Sequence, residues 1–277
     1  MYIPDLVRKE GLRRGLSPRT IKTYTHCIER FFRKCRKEPK EVSKKDIREF
    51  LDCLVEGKRS GSTINVYLNA LKFFYQGILE RKLLVNVKYS KTTKRMPTVL
   101  TKDEIIQRIA AVKNPKHSLM VKLMYSAGLR VSELLNLKAE HFDFAMAHGW
   151  VRQGKGNKDR LFIIAGNVKR ELSEFIENNS LRGSNWIFQN RDGNRMSVMS
   201  VQKIVKQAAK YAGIKKRAYP HALRHSFATH VIQHGNDVVS LQSLLGHKSP
   251  ETTMVYVHMA SPSMINVKSP YDSLTQL

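Results

Sequence analysis

Between Ser17 and Cys35 the chain describes a helix with two very different faces. Apolar residues return at Ile21, Tyr24, Ile28, Phe31 and Cys35, the steps of three and four that one side of an α-helix requires. Ser17-Pro18 ahead of them suits an N-cap followed by proline in the first turn. Lys22, Arg30, Arg33, Lys34, Arg36 and Lys37 fill other positions. Such a segment has to bury one side against protein and turn a cationic side outward.

The pattern recurs. From about Ser62, residues Ile64, Leu68, Leu71, Tyr75 and Ile78 point inward while Lys72, Arg81 and Lys82 remain outside. A third helix is expected over residues 44–55, so residues 1–85 predict a small helical bundle whose aromatics pack the core rather than stack on bases. From 86 to 97 the periodicity stops, and Lys88, Lys91, Lys94 and Arg95 crowd a segment ending at Pro97. This predicts a linker that follows a phosphate backbone.

Beyond it, Thr101 followed three residues later by Glu104 has capping-box spacing. Helices then alternate with β-prone runs at 149–152 and 160–164, joined as a hairpin by 154–158. The expected fold is mainly α with a small antiparallel sheet, its second domain covering 98–260 and a tail 261–277. A chain of 277 residues can hold two such cores.

Charge narrows the partner. Lys+Arg is 49 against Asp+Glu 23, a formal excess of +26. Residues 1–96 hold 24 basic against 10 acidic side chains, so both halves carry the excess. A nucleic acid is the first candidate partner. The start Met1-Tyr2-Ile3-Pro4-Asp5 has no basic stretch leading into an apolar run, and no stretch suits a bilayer, so a cytoplasmic protein without a membrane partner is expected. Cys27, Cys35 and Cys53 lack metal-ligand spacing and are expected as reduced, partly buried thiols.

The second half carries Arg130, Lys155, His221, Arg224, His247 and Tyr256 in that order. Basic and imidazole groups leading to a phenol suit phosphodiester chemistry. A phenolate attacks phosphorus and stays attached, while guanidinium, ammonium and imidazole groups stabilise charge and move protons. Arg130 alone would be an ordinary helix start, although Glu133 is placed to orient it. Lys155 sits in a Gly-rich turn with Lys158 as a competitor, and the surrounding spacing is not that of a nucleotide-binding P-loop, so no ATP and no other cofactor is expected. His221 and Arg224 are three apart on one helix face. Tyr256 by itself would be a half-buried core tyrosine; the order of the others favours a nucleophile.

Four segments together carry a resemblance: GLRVSELLNL (128–137), GKGNKDR (154–160), HALRHSFATHVI (221–232) and LLGHKSPETTMVYVH (244–258). The chain resembles the tyrosine recombinase (integrase) family over almost its whole length, and within it the Xer-type members, an archaeal one being one reading. LSPRTIKTYTHCIERFF (16–32) is similar to the start of that family's SAM-like core-binding domain. The resemblance implies that Tyr256 forms a 3′-phosphotyrosyl link, that Arg130 and Arg224 clamp the scissile phosphate, and that Lys155 protonates the departing 5′ oxygen. It implies general acid/base work for His221, a phosphate hydrogen bond for His247 and support from Glu133. No metal enters this chemistry.

Lys22, Lys72, Lys158 and Arg160 are expected as DNA contacts. Double-stranded DNA with an inverted-repeat core, a homotetramer in the synapse formed from a free monomer or dimer, and a tail docking in trans follow from the same resemblance. The expected role is Xer-like resolution of chromosome or plasmid dimers. The alternatives are integration or excision of a mobile element, a type IB topoisomerase, a DNA-binding module without catalysis, and a metal-dependent nuclease, for which the chain offers no carboxylate pair.

Overall fold

The computed structural model describes residues 2–82, 88–91, 96–152, 154, 159–216, 219–246 and 249–260. The chain divides into two compact units, Met1–Arg95 and Met96–Leu277. Among the described residues no helix is long and apolar enough to cross a membrane.

The first unit is helical: α1 (Ile3–Arg13), α2 (Pro18–Cys35), α3 (Lys44–Glu56) and α4 (Gly61–Lys72), with a π-helical turn Phe73–Ile78 continuing α4. The Ser17 side chain accepts from the Thr20 N–H at 3.2 Å and Pro18 opens α2; Arg36, in the left-handed region, ends it. Ile21, Ile28 and Phe31 are buried as their period requires, and Cys27 joins them. Ser43 and Asp46 form a reciprocal capping box at the start of α3.

Aromatic edges hold the helices together. Phe31 meets Phe50 edge-on at 5.1 Å, Phe50 meets Tyr67 at 5.6 Å, and Phe32 meets Phe74 at 5.5 Å, so α2, α3, α4 and the π-turn share one core. The aromatics expected as packing are packing. The three cysteines are free thiols, Cys27 fully buried. Lys22 is exposed on α2, whereas the Lys72 ammonium lies over the Tyr89 ring at 4.4 Å.

The second unit holds α5 (Lys102–Ala110), α6 (Pro115–Ser126), α7 (Val131–Leu135), a 3₁₀ turn Ala139–His141, strands β1 (Phe142–Asp143), β2 (His148–Val151) and β3 (Arg160–Ile163), then α8 (Gly166–Asn178), α9 (Val198–Tyr211), α10 (Pro220–Gln233), α11 (Val238–Leu245) and α12 (Pro250–Ala260). Thr101 and Glu104 close the capping box before α5. The sheet is antiparallel in the order β1-β2-β3, with Trp150 opposite Leu161 and His148 opposite Ile163.

Helix α10 decides the architecture of this unit. Its Leu223 belongs to the large core built from α5, α6, α7, α9 and the sheet, while Phe227, Ala228 and Ile232 belong to a second cluster with Leu241, Leu245, Tyr256 and Ala260. A helix walled in by two cores has almost no solvent face, and α10 buries Ala222 to Arg224 and Ser226 to His230. The Ser226 hydroxyl in that wall donates to the Ala222 carbonyl and accepts from the Leu100 N–H, each at 2.8 Å.

Candidate active site

The site grows from the turn between α6 and α7. Gly128 has φ +57°, and a side chain there would come within 2.5 Å of the Phe227 ring, so only glycine lets the turn close on α10. Arg130 then takes an extended backbone conformation as the residue before α7. Its N–H donates to Glu133 Oε2 at 2.9 Å while its own Nη1 donates to Glu133 Oε1 at 2.6 Å. One carboxylate thereby caps the helix and orients the guanidinium.

Glu133 gathers more than Arg130. Arg160 Nη2 donates to Glu133 Oε2 at 2.6 Å, and Arg224 Nη1 lies 3.6 Å from the same oxygen. The Glu133 side chain is 4 % exposed. Burial alone would raise its proton affinity, but Arg160 and Arg224 with the Arg130 N–H reverse the sign and hold its pKa at about 2.

Arg224 enters from α10 with its side chain 3 % exposed. Nη1 donates to the Gly128 carbonyl and Nη2 to the Leu245 carbonyl, both at 2.6 Å, which fixes the planar fork in direction. Burial first, then the neighbouring Arg130 cation, lower its proton affinity. Arg130, 20 % exposed, is the more open of the two.

Arg160 departs from expectation. It was expected to contact DNA, but its side chain is 8 % exposed, paired with Glu133, and its Nη1 donates to the Leu244 carbonyl. The guanidinium ties β3 to α7 and to the end of α11, so it braces the site from within. Lys155, Lys158, His247 and the tail 261–277 lie outside the described residues.

Tyr256 projects from α12 into the second cluster and is 3 % exposed. Its hydroxyl is 3.0 Å from His225 Nδ1, and their rings are 5.7 Å apart. Burial raises the phenol's proton affinity, with Arg224 and Arg130 opposing it, so the resting side chain is a protonated phenol. His221, one turn before His225, brings its ring to 6.3 Å from that neighbour. Burial and then the nearby Arg224 and Arg130 cations lower its proton affinity, with Glu133 opposing them.

The structure thus gathers Arg130, Glu133, His221, Arg224 and Tyr256 around α10. The sequence reading passed over His225, although it stands four residues from His221 on the same helix face, and that spacing was the available signal.

Residues 98–262 match the phage integrase family, and residues 5–84 match the phage integrase N-terminal SAM-like domain. The chain is 34% identical over 253 residues to tyrosine recombinase XerA of Pyrococcus horikoshii, covering 89% of this chain and 85% of that protein. It is 30% identical over 290 residues to tyrosine recombinase XerD of Oceanobacillus iheyensis, covering 97% of each. Its fold is similar to the crystal structure of XerH site-specific recombinase bound to palindromic difH substrate in a post-cleavage complex, with a TM-score of 0.75 and 23% identity over 94% of this chain and 82% of that one.

Proposed function

The chain belongs to the phage integrase family, the tyrosine recombinases, and from that premise we propose that it cuts and rejoins duplex DNA at a specific site through Tyr256. The observation that carries the reading is the joining of Arg130 and Arg224 through Glu133 beside the Tyr256 phenol, whose acidity both arginines increase. Two guanidinium forks and a phenol on rigid elements suit in-line attack on a phosphodiester.

In this reading Tyr256 attacks phosphorus and takes over the 3′ phosphate. Arg130 and Arg224 hold the nonbridging oxygens, and Glu133 keeps Arg130 aimed. Lys155 protonates the leaving 5′ oxygen, His221 serves as acid/base, and His247 hydrogen-bonds the phosphate. One phosphoester is exchanged for another, so the step reverses without ATP, and religation to a different strand is recombination. Lys22, Lys72 and Lys158 contribute to the hold on the DNA backbone.

The partner is duplex DNA with an inverted-repeat core, bound by a helical domain in the region 1–85 and a catalytic domain in 98–260, with four protomers in the synapse. The segment 261–277 docks on a neighbouring protomer. The similarity to the XerA and XerD proteins supports resolution of chromosome or plasmid dimers, in the cytoplasm where such DNA lies. Integration of a mobile element uses the same chemistry and differs in the site recovered.

The test is a metal-free incubation of wild type and Tyr256→Phe with host chromosome fragments, followed by denaturation and sequencing of protein-bound DNA. Adducts from wild type alone, clustered on one inverted repeat, are expected. A site in the host chromosome itself supports dimer resolution, and a site at a mobile-element end supports integration. Adducts spread over all sequences would instead mean topoisomerase activity, and none from either protein a binding module.

A further inference from the structure

His225 stands where a proton acceptor for the nucleophile has to stand. A general base must reach the proton it removes, at roughly 2.6–3.2 Å between heavy atoms. His225 Nδ1 is 3.0 Å from the Tyr256 oxygen. His221, the acid/base residue of the reading above, has its ring beside His225. The three side chains form a row: His221 and His225 along one face of α10, then Tyr256 facing them from α12.

We propose that His225 works with its neighbour His221, the acid/base residue, as a second catalytic histidine of strand cleavage, taking the Tyr256 hydroxyl proton on Nδ1 as the phenol oxygen attacks phosphorus. This rests on Tyr256 being the nucleophile. In the step, the Tyr256 O–H bond breaks and an N–H bond forms on His225. The O–P bond forms as the P–O5′ bond breaks, and the 5′ oxygen leaves with the proton that Lys155 supplies. In the reverse step the 5′ hydroxyl attacks, Lys155 recovers its proton, and the His225 imidazolium returns one to the tyrosine. Atoms and charges balance in both directions.

The surroundings favour this assignment. Tyr256 is buried, so its proton has no ready path to bulk water. Burial, then His221 and Arg224, depress the imidazole to about 4, so at neutral pH it is uncharged and presents a lone pair. An arriving phosphodiester adds negative charge beside the two histidines and the two arginines. That charge favours the imidazolium at the moment the proton is needed. Among the described residues, His221 and Arg224 on α10, Tyr256 on α12 and Arg130 beside the phenol are the titratable and charged groups acting on this pair.

The experiment uses the full chain and DNA carrying the site recovered by adduct sequencing. Single-turnover phosphotyrosine formation and DNA binding are measured for wild type, His225→Gln, His225→Ala and Tyr256→Phe between about pH 6 and 9. Both His225 variants are expected to bind DNA as wild type does and to cleave roughly 10²-fold more slowly at pH 7. Their rate should climb about tenfold per pH unit as hydroxide replaces the missing base, against a flat limb for wild type. Cleavage within about threefold of wild type, or a pH slope equal to that of wild type, would overturn the proposal while Tyr256→Phe stayed inactive. Loss of DNA binding together with cleavage would assign His225 a structural role and equally overturn it. An adduct from Tyr256→Phe, or none from wild type on any DNA, would fell the nucleophile assignment itself and His225 with it.

Discussion

Glu133 is one carboxylate facing three guanidinium groups, and that imbalance is what a phosphodiester would relieve. Arg130 and Arg160 each lie 2.6 Å from its oxygens and Arg224 lies 3.6 Å away. Such a cluster holds its arginines in place by attraction yet keeps an excess of positive charge. Replacing the carboxylate therefore harms stability more than a surface pair would, because buried cations would lose their counterion. The folded carboxyl titrates at about 2 against an ordinary 4.5, so its contribution is fully present above pH 4.5 and is lost as pH falls toward 2. By linkage that contribution is roughly 3 kcal/mol. Urea melts of Glu133→Gln should show a deficit of about this size at pH 7 that narrows between pH 4.5 and 2. A deficit independent of pH over that window would mean that shape rather than charge sets the cost.

At the scale of elements, periodicity revealed those helices that keep a polar face. Helix α2, helix α3 and the Thr101 cap follow from residue spacing, because each has one side in solvent and ordinary end chemistry. Helix α1 escaped notice because, of its residues, only Val7 and Gly11 are buried, and a glycine within the last turn reads as an earlier stop. That glycine is needed: a side chain at Gly11 would strike Ile21 of α2 at 2.6 Å. The two-residue β1 is too short to carry a period. Helix α10 is buried on nearly all sides, so its motif, not its amphipathicity, made it legible. Arg160 was misread because sequence does not distinguish a basic residue facing DNA from one buried against a carboxylate. The α6–α7 turn gives the prediction proper to this scale. Gly128→Ala forces φ +57° on an L-residue and a methyl onto Phe227, costing about 2–4 kcal/mol from left-handed strain and overpacking. Thermal melts should show that loss. Cleavage should fall further than stability alone explains, since the Gly128 carbonyl holds Arg224. Wild-type melting would mean that the turn relaxes without moving α10.

For the molecule as a whole, an excess of +26 spread over both units sets how DNA is held. Each phosphate neutralised releases counterions, so log affinity falls with log salt by about 0.9 per contact on duplex DNA. The first unit offers a defined set of such charges: Arg30, Arg33 and Lys34, together with the His26 ring, line one cleft along α2, on the side away from its buried Ile21, Ile28 and Phe31. Arg30 and Arg33 are exposed. Neutralising both, as Arg30→Gln with Arg33→Gln, should leave the melting curve nearly unchanged, because exposed charges contribute little to folding. It should lower affinity for the core site and for unrelated DNA alike, and reduce the salt slope by about 2. Uniform weakening separates backbone contacts from base readout, which would weaken the core site alone. An unaltered slope would mean that the α2 cleft does not meet phosphate and that other cations carry the electrostatic hold.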